Sequence, residues 1–141
     1  MRNAKLLFHH VGTVTANLGA EVEQFEKLGF AVQSRFHDPN PAINVRGAFL
    51  TSGNFRIEIL EPLDESSPAA SWLKRGVKMY HQAFSTAAFE ETLKDLEQDG
   101  AMLVVPPTKS LALGGARIAF FMLRNGMLIE ILDIDGSSQT T

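Results

Sequence analysis

Ile57-Glu58-Ile59-Leu60 recurs without a mismatch as Ile129-Glu130-Ile131-Leu132, 72 positions further along the chain. Working back from these segments, a shift of 71 keeps the two halves aligned. His10 falls on His81, Thr15 on Thr86, Gly29 on Gly100, and Ala48-Phe49 on Ala119-Phe120. The apolar stripe Leu18, Val22 and Phe25 falls on Phe89, Leu93 and Leu96. Either segment alone carries little weight, but shared spacing over about 50 residues identifies a duplicated unit.

Both halves read in the same order. Short β-prone runs predict strands over residues 6–14 and 78–85. Apolar residues at spacings of four and three then predict a helix in each half, closed by Gly29 and by Gly100. Three further strands are expected over 30–36, 45–51 and 55–61, and again over 101–105, 117–123 and 127–133. Ser52-Gly53-Asn54 and Asn125-Gly126 supply hairpin turns. The result is an α+β fold of two tandem βαβββ modules, residues 6–62 and 78–133, within one domain over 1–141. Residues 63–77 form a linker with one short helix, capped by Ser67 before Pro68, closed by Gly76, and docked by Trp72 and Leu73. Loops 38–44 and 106–115 occupy equivalent places and are expected to border a site. The polar tail, 134–141, is expected to be disordered.

Composition narrows the function classes. The chain has 141 residues, 45% hydrophobic and 21% charged, with a net charge of −3, which provides no electrostatic footprint for nucleic acid. With no cysteine, a metal site must use nitrogen and oxygen ligands. No apolar run approaches the roughly 20 residues of a membrane span, and His9 and His10 interrupt the N-terminal apolar stretch as a signal peptide would not. A cytoplasmic domain is the expectation.

The repeat singles out His10, Glu58, His81 and Glu130, on the first and last strand of each module. Strand alternation sets each glutamate opposite its flanking isoleucines. A glutamate in such a strand ordinarily marks a wet face, but Leu60 and Leu132 share the face of these two, which weakens that reading. Two imidazoles and two carboxylates suit Zn²⁺, Fe²⁺, Co²⁺, Ni²⁺ or Mn²⁺. His9 aligns with Tyr80 and alternation aims it at the other face, so it is left out of the set. His37 has no equivalent and is expected in a loop.

At these residues the chain resembles the vicinal oxygen chelate superfamily, which includes glyoxalase I, methylmalonyl-CoA epimerase, extradiol dioxygenases and fosfomycin or bleomycin resistance proteins. The motifs are His-His-Val-Gly at 9–12, Ile-Glu-Ile-Leu-Glu-Pro-Leu at 57–63, Ser-Pro at 67–68, Tyr-His-Gln-Ala-Phe at 80–84, Gly-Gly-Ala-Arg-Ile-Ala-Phe at 114–120 and Leu-Ile-Glu-Ile at 128–131. The resemblance is nearest to methylmalonyl-CoA epimerases and glyoxalase-like proteins. It implies modules paired edge to edge in a curved, incomplete mixed β-barrel with helices outside, a metal held by His10, Glu58, His81 and Glu130, and a homodimer. One departure stands out. Epimerases of this family carry a second acid/base glutamate where this chain has Ala42, in Pro41-Ala42-Ile43-Asn44-Val45.

A divalent ion facing two vicinal substrate oxygens stabilises an enolate while a carboxylate removes the neighbouring proton. Glu130 is expected as that base, with Glu58 as its counterpart. The implied activity is isomerase, epimerase or lyase chemistry on an acyl thioester, a hemithioacetal or another vicinal-oxygen compound. Arg46 and Arg117 are candidates for an anionic group of the substrate. Phe49 and Phe120 are expected in the core, and Gly114-Gly115 in a loop near the ligand or a plain turn. Alternatives are a binding or antibiotic-resistance protein of the same fold, and a non-haem iron dioxygenase. The second carboxylate counts against the latter by taking a position that oxygen chemistry needs.

Overall fold

Alternation in each Ile-Glu-Ile-Leu segment leaves the strand one face for a helix and one for a cavity, and the architecture follows from that division. The computed structural model describes residues 6–136. Module one comprises β1 (Leu7–Val14), α1 (Leu18–Lys27), β2 (Ala31–Asp38), β3 (Val45–Ser52) and β4 (Phe55–Pro62). The linker carries α2 (Pro68–Lys74). Module two comprises β5 (Met79–Thr86), α3 (Phe89–Gln98), β6 (Met102–Ser110), a 3-10 turn (Leu111–Leu113), β7 (Ala116–Met122) and β8 (Leu128–Asp133).

The strands form one eight-stranded sheet in the order β2-β3-β4-β1-β5-β8-β7-β6. Within each module the first and last strands run parallel, β1 with β4 and β5 with β8. Antiparallel pairing of β1 with β5 joins the modules. The sheet curves into an incomplete mixed barrel with α1 and α3 on its convex side. There, Val22 of α1 packs on Ala48, Leu50, Ile57 and Ile59. In the equivalent place, Phe89 and Leu96 of α3 pack on Ala119, Phe121, Ile129 and Ile131.

Local chemistry repeats with the sequence. The Thr15 hydroxyl accepts the Asn17 N–H at 3.1 Å, and the Thr86 hydroxyl accepts the Ala88 N–H at 3.0 Å, each turning a strand into the helix that follows. Gly29 and Gly100 close those helices at φ of 98° and 95°, where a side chain is strained. Ser67 caps α2 through the Ala69 N–H, with Pro68 at the first helical position.

Three boundaries depart from the expectation. His37 lies within β2, paired with Arg46, rather than in a loop. Strand β6 continues through Pro106-Pro107, expected to open a loop. It is an edge strand, so two missing donors cost no ladder on its free side, and the register slips between Val105 and Thr108. Ile134, placed in the tail expected to be disordered, bridges to Thr86; positions 137–141 of that tail lie outside the described residues.

Leu50 and Phe121 occupy equivalent, fully buried positions under the two helices. Leu50→Ala is expected to cost about 2–5 kcal/mol and Phe121→Ala about 3–5 kcal/mol. Because one sheet spans both modules, denaturant unfolding followed by circular dichroism should stay a single transition in each variant. Separate transitions for the two halves would contradict the shared ladder.

Candidate metal centre

The junction of the modules creates the site. β1 and β5 are the central strands, and they carry His10 and His81; β4 and β8 flank them and carry Glu58 and Glu130. All four side chains point to the concave side and are buried, His10 at 0% and His81 at 1% exposure. Gly12 sits directly across from His81 in the β1–β5 register. A Cβ at this position would run into the imidazole ring, so only glycine leaves His81 its place.

Distances fit a shared ligand. His10 Nε2 lies 3.1 Å from Glu58 Oε1 and 3.3 Å from Glu130 Oε1. His81 Nε2 lies 3.5 Å and 3.1 Å from the same two oxygens. One donor atom from each residue falls within 4.8 Å of all the others. Ligands held at about 2.1 Å from one ion stand roughly 3.0–3.4 Å apart in octahedral or tetrahedral geometry, matching these separations. The close approaches are ion-pair contacts without hydrogen-bond alignment: His10 Nε2, His81 Nε2 and Glu130 Oε1 are buried with no hydrogen-bond partner among the described residues. A buried polar atom left so is costly unless something else satisfies it, and a divalent ion would satisfy all three. The donor set therefore fits a divalent metal.

Electrostatics supports the grouping. Burial alone would lower the His10 pKa, but the Glu58 and Glu130 carboxylates outweigh it and raise it to about 9. His81 is raised by the same pair against the same burial. Glu58, despite burial that favours its neutral form, is drawn down to about 2 by the histidines, and Glu130 is lowered likewise.

Surrounding residues repeat the two-fold pattern. The His10 ring meets the edge of Phe49 at 5.0 Å, and the His81 ring meets Phe120 at 5.0 Å. Phe49 is core, as expected, whereas Phe120 also lines the cavity. His9, set aside on alternation, and Tyr80, the residue aligned with it, both lie on the site side. Each is skipped in the β1–β5 register, His9 between Phe8 and His10, and Tyr80 between Met79 and His81. Such bulges re-aim a side chain. His9 Nδ1 is 2.7 Å from His10 Nδ1. Burial and the neighbouring His10 lower the His9 pKa to about 3, so His9 is neutral where its Nδ1 meets that of His10. That bond leaves His10 Nε2 as the free ligand atom. Arg56, buried beneath, donates from Nη1 to the His9 carbonyl at 3.1 Å.

Above the four ligands opens a cavity of about 380 Å³. Glu58 and Glu130 lie at its floor; Val45, Leu60, Ile118 and Leu128 make an apolar wall; Trp72 and Arg75 of the linker stand at its rim. Both loop regions contribute, through Ala42 and Ile43 from one and Ser110 and Ala112 from the other. Asp38 ties them together by accepting the Asn40 N–H at 3.1 Å and the Leu111 N–H at 3.0 Å. Gly114 and Gly115, both at positive φ, form a turn off the lining.

Arg46 and Arg117 are not brought to the cavity. Arg46 Nε donates to Glu61 Oε2 at 3.1 Å, and Arg117 pairs with Glu90 at 2.7 Å and Asp133 at 2.9 Å. The cause is alternation itself. Arg46 shares the convex face with Ala48 and Leu50, and Arg117 shares it with Ala119 and Phe121.

Two outcomes test the centre. Gly12→Ala should displace the His81 ring and weaken metal binding on the order of 10–100-fold in a competitive chelator titration. In the metal-free protein, stability from His10 and His81 is fully present below pH 6.5 and disappears as pH rises, for His10 through about 9. His9 acts with opposite sign, since its folded pKa near 3 removes stability as pH falls below 6.5, and Glu58 adds to that loss below 4.5. Thermal unfolding in chelator should thus peak near pH 6.5, and added metal should abolish the alkaline decline by displacing the imidazole proton.

Comparison with known proteins agrees with this geometry. The family model for the glyoxalase/bleomycin resistance protein/dioxygenase superfamily matches residues 9–120. Protein YqjC of Bacillus subtilis is 29% identical over 131 residues, covering 90% of this chain and 91% of its own. The ethylmalonyl-CoA/methylmalonyl-CoA epimerase of Cereibacter sphaeroides is 26% identical over 128 residues, 87% of this chain and 94% of its own. A solved variant of Streptomyces coelicolor methylmalonyl-CoA epimerase, in complex with 2-nitronate-propionyl-CoA, superposes with a TM-score of 0.80 at 26% identity, covering 97% of this chain and 100% of that one. With the duplicated modules, the four converging ligands and a family match across most of its length, the chain belongs to the glyoxalase/bleomycin resistance protein/dioxygenase superfamily.

Proposed function

We propose that the protein is a metal-dependent isomerase that moves a proton next to the carbonyl of a small acyl-thioester or hemithioacetal substrate, with Glu130 as the base and Glu58 as its counterpart. The observation that carries this reading is the set of unsatisfied donor atoms, two nitrogens and a carboxylate oxygen, buried at the floor of an apolar cavity. His10, Glu58, His81 and Glu130 would hold the ion, and their donor types suit Zn²⁺, Co²⁺, Ni²⁺, Mn²⁺ or Fe²⁺. When bound, it supplies Lewis acidity toward two neighbouring substrate oxygens.

The chain's own residues do the rest. The apolar wall excludes water from the reacting carbon, which strengthens every charge interaction at the floor. Glu130 takes the proton from the carbon adjacent to the carbonyl. Glu130, now protonated, gives that proton back, to the neighbouring carbon in the case of a hemithioacetal, while Glu58, its counterpart across the pseudo-two-fold arrangement, stays ionised. The relatives named as epimerases support an acyl thioester as the substrate class. Ala42 points to a division of labour different from theirs: it lines the cavity as a methyl group, and the third carboxylate of the lining, Asp38, spends both oxygens on backbone N–H groups. Both working carboxylates therefore stand on the floor.

The test is solvent deuterium incorporation by the metal-loaded protein, run with methylmalonyl-CoA and with the hemithioacetal of methylglyoxal and glutathione. Glu130→Gln should slow exchange roughly 10²–10⁴-fold, in a variant whose metal content is measured alongside. Tight binding of either compound without exchange, unchanged by Glu130→Gln, would make this a binding protein instead.

A further inference from the structure

The cavity's rim has a feature that the duplicated modules do not supply. Helix α2, which belongs to the linker and to neither module, places Trp72 and Arg75 over the opening. The Arg75 guanidinium carbon lies 4.4 Å from the Trp72 ring centroid. Trp72 stacks on Tyr80 at 5.9 Å with 25° between planes, and Tyr80 meets the edge of the ligand His81 at 4.6 Å. One wall therefore runs from the metal ligands to the surface and ends in a cation.

We infer that Arg75 binds an anionic group, carboxylate or phosphate, on the far end of a substrate whose apolar body lies along Trp72 and Tyr80. This deepens the proposed function and rests on its metal site. Arg75 is the cationic side chain of the cavity lining, and no carboxylate pairs with it among the described residues. Stacking on Trp72 satisfies its face and orients its N–H edge, which is the edge that forks onto a carboxylate or phosphate. Position is set by the chain end of α2: Arg75 caps the helix through bonds to Leu73 and Ser71 carbonyls, and Gly76 at φ 75° turns the backbone away. Asp38, the remaining carboxylate of the lining, spends its oxygens on the Asn40 and Leu111 N–H groups and not on Arg75. The arginines that sequence alternation should have excluded, Arg46 and Arg117, are already paired on the convex side.

Trp72 is the sole tryptophan of the chain, so its fluorescence reports events at the rim directly. The metal-loaded protein is titrated with three alkyl hydroxamates of equal chain length, ending in a methyl, a carboxylate or a phosphate; the hydroxamate supplies two vicinal oxygens to the ion. The anionic probes should bind about tenfold tighter than the methyl-terminated one. Arg75→Gln should bring them to the affinity of the methyl probe, and Arg75→Lys should recover part of the preference. The stronger of the two anionic probes identifies the group. Equal affinities for all three probes in the unaltered protein, or a preference that survives Arg75→Gln, would overturn the inference while leaving the metal centre intact. Failure of all three to bind in a metal-dependent way would overturn both.

Discussion

Everything at the site depends on how β1 lies against β5. That antiparallel ladder is the seam between the modules, and it sets Gly12 opposite His81. Had the modules paired along another edge, each would have carried one histidine and one glutamate on a separate, half-formed surface. Pairing at this edge makes the ligand strands adjacent, β4-β1-β5-β8, and brings four donors from distant parts of the chain within coordination reach. The absent side chain of Gly12 is part of that seam, since the imidazole occupies the space a Cβ would need.

The concentration of charge at the seam is costly for a protein interior. Two carboxylates and two imidazoles are removed from water, and a carboxylate pair sharing a site repels itself. Protons on the histidines relieve part of this in the metal-free chain; a divalent ion relieves it more completely and in a geometry that the donor spacing already suits. Around the charged floor the fold is conservative. Ile, Leu and Phe side chains seal both faces of the sheet, and His9 with Arg56 extends the polar network only behind His10. That network breaks the two-fold pattern, because His81 Nδ1 has no hydrogen-bond partner among the described residues. The two imidazoles are thus held differently although their strands are equivalent.

Functional individuality lies where the repeat fails. Ala42, Asp38 and the 3-10 turn shape one side of the opening, and α2 shapes the other. None of these has an internal counterpart with the same chemistry. The duplicated strands provide a frame that can chelate a divalent metal, whereas the unrepeated segments bound the cavity and thereby restrict what can reach the floor.

Much of this was legible in the sequence because its governing periodicities are local. The repeat at 71 and 72 positions, the helical stripes of α1 and α3, and the alternation that aims Glu58 and Glu130 away from their isoleucines all report on neighbours in the chain. Alternation also contained the reason that Arg46 and Arg117 face outward, alongside Leu50 and Phe121. By contrast, His9 and Tyr80 reached the site through bulges in the β1–β5 pairing, and a bulge depends on the partner strand. Arg75 and Trp72 acquired their place only when α2 docked across the barrel. The sequence by itself determined the two modules and which four residues could serve as ligands, since spacing along a strand dictates the face of each side chain. Tertiary structure alone decided that those faces converge and what stands over them, because strand register and helix docking are set by contacts between segments far apart in the chain.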